Sequence, residues 1–136
     1  MALRGEVERF APLQVSWSFA SDVASTCLAA FERGLTGRRY MAYGRVSDVC
    51  TTAEFCNRAL SIVGLDHRTQ DFVSSPDADA AEFGAMASFA VDRYPDPPAD
   101  GSRSALELDV HPIELDEGLR RTVVWLRELG EWTEPQ

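Results

Sequence analysis

The stretch "VSWSFASDVASTCLAAFERGLTGRRYMAYG", Val15 to Gly44, decides the fold class. Its first six residues, Val15 to Ala20, alternate apolar with small polar side chains and are rich in β formers, which predicts a strand. The next fourteen change period. Val23, Cys27, Ala30 and Phe31 fall on one helical face, Ser21 or Asp22 is placed to cap the start, and Gly34 is placed to stop the end. Gly34-Leu35-Thr36-Gly37 then reads as a turn, and Arg38 to Gly44, "RRYMAYG", as a second strand between glycines. Strand, helix, turn and strand within thirty residues make a mixed α/β chain.

Working outward, "CTTAEFCNRALSIVGL", Cys50 to Leu65, predicts a second helix. Thr51 or Thr52 caps it, Glu54 sits in its first turn where the helix dipole favours a carboxylate, Phe55, Ala59, Ile62 and Val63 form its buried stripe, and Gly64 ends it. Arg68 to Val73 suits a short strand. Residues 74–82, "SSPDADAAE", are small, polar and acidic, so they read as a loop, with Asp77 and Asp79 solvated. Ala80 to Tyr94 has helical spacing weakened by Gly84. Residues 95–102 are a Pro-rich internal connection, and Ser102 to Val110 offers one or two helical turns. The closing helix starts near Leu115 and ends by Gly130, with Leu115, Leu119, Val123 and Leu126 facing the core and Trp125 nearby. Residues 1–14 lack a clear period and read as an irregular arm with room for a short strand. At 136 residues this is the length of one domain, 1–136, of two to three short strands packed with three to five helices.

The totals exclude several function classes. Net charge is −9, a field that repels phosphate backbones and anionic membrane surfaces. No apolar run reaches the roughly 18 residues of a membrane span. The N-terminus lacks an apolar signal-peptide core. The cysteines, Cys27, Cys50 and Cys56, are odd in number, and their spacing is not that of a zinc site, so they read as reduced thiols of a cytoplasmic protein. No metal ligand set is expected.

Three pieces, taken in order, resemble the C-terminal, substrate-binding portion of the extended short-chain dehydrogenase/reductases, the NAD-dependent epimerase/dehydratase family. "SFASDVASTCLAAFERGLTGRRYMAYG" is similar to that family's strand, Asp-Val-Ala helix, Gly and Tyr-bearing strand. "CTTAEFCNRALSIVGL" is similar to the helix that follows, with Thr or Ser at its cap. "SRSALELDVHPIELDEGLRRTVVWLREL" resembles the segment where a Ser and a short helix lead to Pro and then to a Leu-Asp/Glu-Glu-Gly-Leu helix. The likeness runs from about Val15 to Leu129. Two places depart from it. The short helix usually ends in Leu-Gly where this chain has Leu108-Asp109, and residues 74–101, in the family's variable substrate-facing insert, have no match.

The resemblance implies an α/β lobe like the isolated C-terminal lobe of such a reductase. It also implies Arg9, Trp17 and Tyr94 as substrate-binding candidates. Trp17 offers a flat apolar face and Arg9 a fork for a carboxylate or phosphate. The bland reading puts Trp17 in the core and Arg9 in solvent.

What the family needs for redox chemistry is missing from this sequence. Gly34-Leu35-Thr36-Gly37 follows a helix and precedes a strand, the reverse of a dinucleotide cradle. The family's catalytic Tyr has a Lys four residues on, which lowers the phenol's pKa. Here Tyr40 is followed at that spacing by Gly44, Tyr43 by Ser47 and Tyr94 by Pro98, and the chain has no Lys at all. Asp22 reads as a helix cap, and His67 and His111 as lone histidines, so no catalytic residue is expected. No cofactor is expected on this chain alone, and NAD(P) only with a separate nucleotide-binding half. A small-molecule ligand is one implied partner; a Rossmann-type chain or a second copy is the other. Three classes remain open: a reductase lobe whose nucleotide-binding half is separately encoded or lost, a free-standing small-molecule binder or regulator derived from that lobe, and a small enzyme using His111 or the loop acids.

Overall fold

A computed structural model describes residues 9–10, 14–66, 68–71 and 99–131. The chain is mixed α/β with helices dominant, and it divides into two compact units. One comprises residues 1–15, 50–97 and 136; the other comprises 16–49 and 98–135.

The first unit holds four two-residue strands and one helix among the described residues. β1 (Arg9–Phe10) runs parallel to β4 (Gln70–Asp71), with Arg9 opposite Gln70 and Phe10 opposite Asp71. β2 (Gln14–Val15) runs antiparallel to β3 (Cys50–Thr51), with Val15 opposite Cys50. Helix α2 (Thr52–Ile62) starts as the sequence predicts. Thr51 accepts from the Glu54 amide at 3.2 Å, and the Glu54 carboxylate accepts from the Thr51 amide at 2.8 Å, a reciprocal capping box. At its other end, Leu65 N–H donates to Leu60 O and Gly64 N–H to Ser61 O, with Gly64 at φ 73, a conformation that glycine adopts freely. Leu60 is fully buried and Ala53 nearly so, while Phe55, Ala59, Ile62 and Val63 are half-buried. The innermost stripe is therefore Ala53 and Leu60, rotated from the expected one.

Thr69 ties the β4 segment to this helix. Its amide donates to Asn57 Oδ1 and its carbonyl accepts from Asn57 Nδ2, each at 2.8 Å, while its hydroxyl donates to Ala53 O at 3.0 Å. An amide side chain thus does for the backbone what a neighbouring strand would do.

The second unit holds α1 (Ala20–Arg33), a 3₁₀ turn (Val46–Asp48), α3 (Ser102–Leu108) and α4 (Leu115–Glu128). Helix α1 packs on α3. Arg33 donates from Nη2 and Nε to Leu108 O at 2.7 and 3.3 Å, satisfying a carbonyl at the C-terminus of α3. Leu108, Ala29, Leu119 and Val123 are buried, and Thr26 and Ser104 are buried with them. The expected core face of α4 holds, with Leu115 and Leu126 half-buried beside Leu119 and Val123.

Three expectations for this unit are corrected. The N-cap of α1 is Phe19, without a side-chain cap; Asp22 lies in the first turn, and its carboxylate accepts from the Ile113 amide at 3.0 Å instead. The buried face of α1 carries Thr26 and Ala29, whereas Phe31 and Cys27 are exposed. Val15 to Ala20 and Arg38 to Gly44 do not form the expected strands beyond Val15 itself. Serine hydroxyls take the place of a ladder: Gly44 N–H donates to Ser18 Oγ at 2.8 Å and Met41 N–H to Ser104 Oγ at 2.7 Å. The two segments approach so closely that a Cβ on Gly44 would lie 1.9 Å from Trp17 O.

The predicted helix over 80–94 and the first half of the Pro-rich connection, 95–98, lie outside the described residues. So does His67. The Gly34–Gly37 turn forms where expected, with Gly37 at φ 78 and Leu35 N–H donating to the Tyr40 hydroxyl at 3.0 Å.

Candidate functional site

Of the three residues singled out for substrate binding, two are among the described residues, one in each unit. Arg9 lies in β1 of the first unit. Trp17 is half-buried in the second unit. Tyr94 lies outside the described residues.

The second unit does contain a cavity of about 250 Å³, lined by Asp22, Ser25, Thr26, Asp109, Val110, His111 and Pro112. Two elements shape it: the first turns of α1, and the connection from α3 to α4. Thr26 donates to the Asp22 carbonyl at 2.8 Å, and Asp22 holds the connection through the Ile113 amide. Asp109 closes α3 in a left-handed conformation, φ 49 and ψ 52, with Val110 N–H donating to Ala105 O at 3.0 Å. Its carboxylate lies 3.3 Å from His111 Nε2, and both side chains are 87% exposed.

Asp22 and His111, weighed separately in the sequence, therefore line one cavity although 89 positions apart, a placement that no local pattern announces. Ser25, Thr26, Val110 and Asp109 join them. Only Asp109 left a trace, as an aspartate where the resemblance calls for glycine. The arrangement supplies oxygen acceptors, one imidazole and an apolar floor. It is smaller and more open than the pockets that enclose a drug-sized ligand.

Elsewhere the chemistry is subdued. Burial pushes the Cys56 thiol up from its ordinary value, which makes it a poor nucleophile. Asp71 accepts from the Thr51 hydroxyl at 2.9 Å through Oδ2, while its buried Oδ1 has no hydrogen-bond partner among the described residues. No group of three or more metal-ligating side chains occurs among the described residues, and no helix there is long and apolar enough to cross a membrane.

A second feature of this unit is apolar. Along α1 and just beyond it, Leu28 is 63% exposed, Phe31 90% and Leu35 64%. With the exposed Ala24, Leu28 and Phe31 recur at intervals of four and three, the spacing of one helix face that meets another apolar element, and Leu35 follows beyond the Gly34 stop.

No protein-family model matches the chain, and no curated relative matches it. Among solved structures it is similar to the crystal structure of gox2253, with a TM-score of 0.73 at 17% sequence identity, over 97% of this chain and 43% of that one. The chain thus spans less than half the length of that protein while sharing the fold of the matched part.

Proposed function

We propose that this chain is a substrate-binding lobe of the kind found in NAD(P)-dependent reductases and epimerases. On its own it neither binds the dinucleotide nor transfers hydride, and it works against a nucleotide-binding half. The observation that carries this reading is the exposed apolar patch of Leu28 and Phe31 on α1 and Leu35 just beyond its end. A helix whose hydrophobic seam faces water is short of a covering element. The match of nearly the whole chain to under half of a longer protein supports the same reading. So does Asp109, which holds the left-handed position that a Leu-Gly ending would fill. The sequence adds the missing chemistry, with no lysine to pair with a tyrosine and no glycine cradle after a strand.

The deciding experiment is a calorimetric titration of the isolated chain with NAD and NADP in both redox states. No heat of binding is expected at micromolar concentrations, and saturable micromolar binding would overturn the proposal. A pull-down with the chain as bait is expected to recover a protein with a Gly-rich nucleotide-binding motif.

A second reading is a free-standing small-molecule binder derived from that lobe. The cavity between Asp22 and His111 favours it, because one unit lines it alone. Under that reading a small ligand raises the melting temperature without nucleotide present, and His111→Ala abolishes the shift.

A further inference from the structure

We draw no further inference here: the strongest candidate, the open cavity between the first turns of α1 and the 109–112 connection, is built from a helix N-terminus and two carboxylates, and nothing else in the structure points to what would occupy it.

Discussion

Two glycines show how a single missing Cβ can have opposite meanings. Gly118 lies inside α4, and a methyl there would meet Phe19 at 3.5 Å, ordinary contact. Glycine costs a helix interior about 0.5–1 kcal/mol relative to alanine, so Gly118→Ala is expected to stabilise the protein by about that much in urea denaturation. Gly44→Ala drives a methyl against Trp17 O and is expected to cost about 1–3 kcal/mol by the same measurement. The helix propensity at 118 is legible in the sequence; the close approach at 44 is not, because it depends on a segment 27 positions away. Asp109 is a third case. Three helices end with the same paired hydrogen bonds, closed by Gly64, Asp109 and Gly130. Only the aspartate bears the strain of a side chain at positive φ. Asp109→Gly is expected to raise stability by about 0.5–1 kcal/mol, read as a higher melting temperature, since its exposed pairing with His111 adds little.

Among the elements, α4 has the least conventional start. Its N-cap, Glu114, makes no side-chain cap, yet Leu115 N–H donates to Asp48 Oδ2 at 3.0 Å. The 3₁₀ turn therefore caps a helix 67 residues further on, while Asp22 holds the Ile113 amide two residues earlier. Replacing such a cap by alanine costs about 1 kcal/mol, and Asp48→Ala is expected to show that loss with α4 amides exchanging hydrogen faster than those of α2. Sequence periodicity placed α4 well because its capping does not alter its apolar stripe. It narrowed the cap of α2 to Thr51 or Thr52 because that signal is local. It missed the role of Asp48 because the recipient amide is distant.

The last turn of α3 carries an acid–base network. Arg38 donates to Glu107 at 2.6 and 3.2 Å and Arg103 donates to it at 2.9 Å. Hydrogen bonds from Arg38 and then Arg103 lower the Glu107 carboxyl to about 2 from an ordinary 4.5. A carboxyl whose folded pKa is depressed adds stability that is present above the unfolded value and is lost as pH falls through the folded one. The stability difference between the wild type and Glu107→Gln is therefore expected to be constant above pH 4.5 and to shrink from there toward pH 2, as followed by denaturation at stepped pH.

For the molecule as a whole, the α/β class and the helices at 20–33, 52–62, 102–108 and 115–128 were legible, the three longer ones because each carries its own period and a stop glycine. Of the strands, β4 falls in the predicted 68–73 stretch and β1 in the 1–14 arm, while β3 was not legible. Two-residue ladders are too short to show a period of two, and the 15–20 and 38–44 segments read as strands are joined through Ser18, with Met41 held to α3 by Ser104. The face of α1 was misread for a related reason: its sequence pattern counts apolar residues without saying which of them will be covered. Phe31 tests the consequence. Phe31→Glu removes a side chain that is 90% exposed, so the melting temperature is expected to stay within about 2 °C, while binding of a hydrophobic dye falls and the recovery of any nucleotide-binding partner is lost.

The two units are interleaved along the chain, since 1–15 joins 50–97 and 16–49 joins 98–135. During synthesis, a ribosome that has made only the first half has delivered neither unit complete. Helix α1 must wait, its inner face open, until α3 emerges some seventy residues later to receive the Arg33 guanidinium. Long-range closure of this kind slows folding and lengthens the interval in which sticky surface is presented to other chains. No cut at one point can liberate a self-sufficient piece, because each unit draws on two separate stretches of chain.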